Sequence, residues 1–317
     1  MARHFGTTPS GAAVQAVDLR AGSMVATVLT YGAILRHLSL TPEGHNLTWG
    51  SDDLSDYAVA MRYHGAVIGP VANRISGAAA QIGPQSYTFD ANQDGAITLH
   101  SGAKGTFQSL WTLAEESASH VILTLDLPDG EAGFPGNRRI TARYDLLPDR
   151  LRLTLDVTTD ALTAINLANH SYWNLDGSSS WEGHRLKVAA DHYLPVTKAV
   201  TPTGEIAPVS GTAFDFRTSR VLKAGDPPLD TNFCLSNDRR PLQEVLWLSG
   251  QQGVTMAFAT TEPGLQIYDS RPEYRALAIE AQYWPDALAN PAFPPILLAP
   301  AEPWQQITEW RFSQSAA

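Results

Sequence analysis

Between residues 151 and 158 the side chains change sides at every step: Leu151, Leu153, Leu155 and Val157 fall on one face, Arg152, Thr154 and Asp156 on the other. Successive side chains of a β-strand point to opposite faces, so this pattern predicts a half-buried strand in an antiparallel sheet. Residues 121–127 alternate in the same way before the turn signal Pro128-Asp129-Gly130, and Glu262-Pro263-Gly264 separates strand-like residues 254–258 from 264–268. No stretch holds an amphipathic helical period for three turns. The 317 residues are 44% hydrophobic and 17% charged, enough apolar material for one large core. Proline-rich, serine-rich and charge-block linkers are all missing, so residues 1–317 read as a single all-β domain, a large antiparallel β-sandwich. Pro227-Pro228 and Pro294-Pro295 mark loops, because proline cannot donate to a central ladder.

Composition narrows the partners. Lys plus Arg number 22 against 32 Asp plus Glu, a formal charge of −10, with no basic run. Nucleic acid and anionic membranes are therefore not expected partners. Cys234 is the one cysteine, which excludes an intrachain disulfide and a thiolate metal cluster and suits a reducing compartment. The start, Met1-Ala2-Arg3-His4-Phe5-Gly6-Thr7, lacks a signal-peptide pattern, and no apolar run approaches the ~18 residues of a membrane span. The expectation is a cytoplasmic protein, monomer or homodimer.

Two titratable groups stand out. His170 lies in Asn169-His170-Ser171-Tyr172-Trp173-Asn174-Leu175, an imidazole among amides, a hydroxyl and two aromatic rings. Imidazole exchanges protons near neutrality, and aromatic faces beside amides suit a sugar. The alternative is a core histidine bonded to a backbone carbonyl. Glu280 follows the apolar run 276–279, where burial disfavours its charged form unless neighbours compensate. The alternative is an edge strand whose glutamate faces water. Polar clusters also occur at Asn73-Arg74, at Leu99-His100-Ser101-Gly102 and at Asp230-Thr231-Asn232-Phe233, each with an ordinary structural reading of its own. No pair of histidines has i, i+4 metal-ligand spacing, and no Gly-x-Ser-x-Gly elbow, phosphate loop or dinucleotide fingerprint is present. Neither a metal nor another cofactor is expected.

Taken in order, these segments resemble the aldose 1-epimerase (galactose mutarotase) family. The matching pieces are Tyr31-Gly32-Ala33, Ala72-Asn73-Arg74-Ile75, Leu99-His100, the stretch 169–175, Asp230 with Asn232-Phe233, Pro263-Gly264-Leu265-Gln266, and Gln282-Tyr283-Trp284-Pro285-Asp286-Ala287. The resemblance implies a galactose mutarotase-type β-sandwich that interconverts α and β anomers of a free monosaccharide, hexose or pentose. It implies Glu280 as general base at the anomeric hydroxyl and His170 as general acid at the ring oxygen. Arg74 and His100 would donate to sugar oxygens and Asp230 would accept from sugar hydroxyls, with Asn73, Gln266 and Tyr172 lining the site. Departures occur at Pro70-Val71, at Ser101 in place of a usual glycine, at Thr231, and at 304–308, which lack the family's usual tyrosine and histidine. Two other readings remain at this level: a sugar-binding or sensor protein that has lost turnover, and a glycoside-processing enzyme using Asp230 as its second carboxylate.

Overall fold

The structure, a computed structural model, describes residues 2–8 and 10–314, so both ends of the 1–317 span lie outside the described residues. A nine-stranded antiparallel sheet carries the strand with the clearest alternation. Its order is Thr112–Glu116, His120–Leu127, Arg138–Leu147, Arg150–Thr159, Trp304–Gln314, Val254–Thr260, Gln243–Ser249, Arg185–Val188 and Arg220–Val221. Arg150–Thr159 sits between two long neighbours, with Leu151, Leu153, Leu155 and Val157 at most 2% exposed. A six-stranded sheet faces it, in the order Tyr172–Trp173, Leu277–Gln282, Gly264–Tyr268, Asp230–Cys234, His192–Tyr193 and Ala207–Pro208. The two meet through a shared apolar core, in which Trp173 of one lies 5.7 Å from Trp310 of the other. A four-stranded sheet, Arg3–Thr7 to Leu35–Ser39, adds Val17, Leu19, Ala26 and Val28 to that core. The α-helix Leu54–Ala58 is a single turn, capped by the Asp53 carboxylate accepting from Ser55 N–H.

The structure decides between the two readings of Glu280. Leu277–Gln282 is paired on both sides, so Glu280 is not an edge residue facing water. Its core face is Leu277, Ile279 and Ala281, while Ala278, Glu280 and Gln282 lie on the opposite face and are buried as well. Burial on both faces is why this strand reads as an apolar run. The segment around Glu262-Pro263-Gly264 is a crossing between sheets, because Val254–Thr260 and Gly264–Tyr268 belong to different ones. Glu262, fully buried there, is held by Arg239 through two bonds of 2.7 and 3.1 Å.

Candidate active site

Strand register assembles one wall. Gln266 pairs with Glu280, Asp230 with Tyr268, and Tyr172 with Ala278, which puts Tyr172, Glu280, Gln266, Tyr268 and Asp230 on the sheet face turned away from the core. Two short ladders build the opposite side. Val67–Ile68 pairs with Ala168–Asn169, and the ladder is continued as Gly65 N–H donates to His170 O and His170 N–H donates to Ala66 O, both at 2.9 Å. Arg74–Ser76 pairs with Ile97–Leu99, delivering Arg74 and His100. The pocket between them, about 290 Å³, is lined by all eight residues singled out from the sequence (Asn73, Arg74, His100, His170, Tyr172, Asp230, Gln266, Glu280) and by Tyr63, Leu99 and Tyr268. A larger depression of about 800 Å³ lies against Phe5, Tyr31, Leu54 and Val59, but no imidazole enters it.

His170 Nε2 lies 3.4 Å from Glu280 Oε1, with side-chain exposures of 5% and 2%. Burial pushes the imidazole down to about 4, a contact with its own main chain offsetting part of this. Burial also raises the Glu280 carboxyl well above its ordinary range, the Asp230 charge adding to the rise and Arg74 opposing it. The close approach favours an imidazolium–carboxylate pair, whereas burial favours two neutral groups. Either arrangement holds one proton between the two residues.

His100 has a defined tautomer. Asn73 N–H donates to its Nδ1 at 3.1 Å, so the neutral ring carries its proton on Nε2 as a donor. Burial, with His170 and Arg74 adding to it, holds this imidazole well below its usual range. Asn73 and His100 both adopt left-handed backbone, at φ 62° and 52°, and His100 N–H donates to Asn73 O at 2.9 Å. Asp230 is raised chiefly by burial, which outweighs Arg74 and Gln266. The imidazole of His170 lies between two rings: Tyr172 at 5.0 Å and Tyr63 at 5.9 Å, both near parallel. The pocket therefore offers donors of fixed orientation, one buried and one partly exposed carboxyl group, aromatic faces, and a titratable pair in His170 and Glu280.

The aldose 1-epimerase family model matches residues 15–311. The chain belongs to the aldose 1-epimerase family. It is 32% identical to galactose mutarotase of Rattus norvegicus over 98% of this chain and 97% of that one. It is 29% identical to aldose 1-epimerase of Escherichia coli (strain K12), with 96% of each covered. Among solved structures, the GalM/aldose epimerase homologue from C. elegans superposes with a TM-score of 0.89 at 26% identity, covering 95% of this chain and 99% of that one. Galactose 1-epimerase from Lactobacillus acidophilus gives 0.85 at 26%, covering 100% and 99%. The protein is an epimerase, an enzyme of the isomerase class, with the fold of the galactose mutarotases.

Within this epimerase the departures from the family pattern have local explanations. Ser101, at φ 64°, uses its hydroxyl to bond both N–H and O of Val71 at 2.9 Å, tying the loop after His100 to the segment before Arg74. Trp304 packs under the Arg239 guanidinium at 4.6 Å, and Gln306 Nε2 donates to Ala281 O at 2.9 Å. Thr231 is buried on the core side of its strand. Tyr63 and Tyr268 were not singled out from the sequence; the one signal for Tyr63 was an aromatic pair, Tyr63-His64, directly before a glycine. Among the described residues no group of three or more His, Cys, Asp or Glu converges as a metal site, and no helix is long and apolar enough to cross a membrane.

Proposed function

We propose that the protein is a mutarotase, interconverting the α and β anomers of free aldoses without a cofactor. The observation that carries this reading is the His170 and Glu280 pair, 3.4 Å apart and buried at the base of a polar pocket. Opening a cyclic sugar requires a proton to leave the anomeric hydroxyl while another reaches the ring oxygen. Glu280 as carboxylate takes the first, and His170 as imidazolium gives the second as the bond from the anomeric carbon to the ring oxygen breaks. The oxygen that lost its proton becomes the aldehyde carbonyl. After rotation about the bond between the first two sugar carbons, both transfers reverse and the ring closes on the other face. The pair starts and ends with one proton, so no outside acid or base is consumed.

The remaining groups hold the sugar. His100 Nε2–H and Arg74 donate to sugar oxygens, Asp230 accepts from hydroxyls, and Asn73, Gln266 and Tyr172 complete the polar lining. A volume of about 290 Å³ lies at the small end of ligand sites and suits one monosaccharide rather than an oligosaccharide. Polarimetry of freshly dissolved α-glucose, α-galactose, α-xylose and arabinose tests the reading. At least one should equilibrate faster with enzyme, and Glu280→Gln should abolish the acceleration. Saturable sugar binding without faster equilibration of any of them would mark the chain as a binder and overturn the proposal.

A further inference from the structure

Arg74 enters the pocket held from two sides. Its Nε donates to Gln93 Oε1 at 3.0 Å, and its Nη2 lies 3.4 Å from Asp230 Oδ2. Asp230 is gripped in turn from the far side, where Gln266 Nε2 donates to Oδ1 at 2.6 Å. An arginine and an aspartate this close have a tighter option. Fork against fork, two parallel N–H···O⁻ bonds of ~2.7–2.9 Å would satisfy each group with the other. That arrangement would withdraw both from a ligand. Here the Nε–H needed for a side-on fork is taken by Gln93, and one carboxylate oxygen is taken by Gln266.

We propose that Gln93 is a positioning residue that keeps Arg74 from collapsing onto Asp230, so that both charged groups stay available to the sugar. The proposal rests on the pocket being a sugar site. Gln93 is well placed for the task. Its backbone N–H and O both bond Ile97, at 3.0 and 3.1 Å, closing a turn onto the strand Ile97–Leu99. That strand pairs with the one bearing Arg74, in register Arg74 to Leu99. Next to it, Asn92 bonds both N–H and O of Leu99, at 2.7 and 3.0 Å. The Gln93 amide is oriented as well: Nε2 donates to Ala199 O at 3.5 Å, leaving Oε1 for Arg74.

Steady-state anomerisation by Gln93→Leu and Gln93→Glu, with thermal melts as folding controls, tests the role. A hydrogen bond to a charged group contributes roughly a tenfold to hundredfold effect. Gln93→Leu should raise KM by about tenfold and change kcat less than about threefold, with the pH limits of activity unmoved. Gln93→Glu keeps the acceptor and should bring KM back to within a few-fold of wild type. In an Asp230→Asn background, Gln93→Leu should cost much less, because the neutral amide no longer draws Arg74 across. Unchanged KM in Gln93→Leu, an equal loss in the Asp230→Asn background, or failed rescue by a stably folded Gln93→Glu would each overturn the proposal. If wild type accelerates no aldose, the activity reading fails separately, and the same comparisons are then made on sugar Kd. Absence of any aldose binding by wild type overturns both.

Discussion

His170 and Glu280 are pushed in opposite directions on the pH scale by one cause, removal from water, and the consequence is a pair that titrates as a unit. On the proposed mechanism the working form holds one proton. Adding a second requires protonating His170, whose affinity is depressed to about 4; removing the last requires ionising Glu280, whose affinity is raised. kcat/KM for anomerisation should therefore hold steady through pH 6.5, the ordinary histidine range, and decline only near pH 4 on the acid side. On the alkaline side it should decline well above the ordinary carboxylate range. A pH–rate profile with its acid limit at 6.5 would contradict this shared-proton account. At this scale His170 and Glu280 were legible because a titratable group is rare in aromatic or apolar surroundings, whereas Asn73, Arg74, His100, Tyr172, Asp230 and Gln266 were singled out through the family resemblance. Tyr63 was not legible: it meets the His170 ring only because main-chain bonds join residues 65–66 to residue 170.

Those main-chain bonds belong to elements too short to leave a period in the sequence. Val67–Ile68 and Ala168–Asn169 are two residues each, yet they set the ring of Tyr63 against that of His170. Long strands such as Arg150–Thr159 were legible because their burial alternates, whereas Leu277–Gln282 is buried on both faces and shows no alternation. Gly65 is where the short ladder is most constrained. Its φ is +73°, its O accepts from Asn169 Nδ2 and from Leu35 N–H, and a Cβ there would sit 2.3 Å from Leu35 O. The obstacle is backbone, which cannot swing aside as a side chain can. Gly65→Ala should destabilise the protein by roughly 2 kcal/mol or more, from strain plus displacement, and lower kcat by loosening the Tyr63 and His170 stack. Denaturant melts with parallel rate measurements check this; a variant with wild-type stability and rate would show that the ladder tolerates the shift.

The three larger sheets share one apolar core, running from Val17 through Ile279 to Phe312, and we propose that the described chain is one folding unit. A local change of burial energy should then move a single unfolding transition. His64 provides the test, because it lies inside that unit behind the site, 8% exposed, stacked on Tyr172 at 4.0 Å and edge-on to Trp49 at 4.7 Å. Neither ring nitrogen makes a hydrogen bond of good geometry, although the Met61 carbonyl gives some electrostatic support. Burial, with His170 adding to it, drives this imidazole down to about 3, so it stays neutral in the fold while the unfolded chain takes up a proton near 6.5. Between those limits the unfolded state binds the extra proton, and wild type loses stability as pH falls from 6.5 toward 3. Phenylalanine keeps the stacking surface and removes both the unpaired nitrogens and the titration. His64→Phe should be more stable by about 1 kcal/mol at pH 7, and the gap should widen by up to about 1.4 kcal/mol per pH unit below 6.5. Urea midpoints of both proteins at pH 7, 6 and 5 decide the matter: a gap that stays constant with pH would mean that His64 is charged in the fold or has a partner that holds its proton, and the ring behind Tyr172 would then be polar support rather than apolar packing.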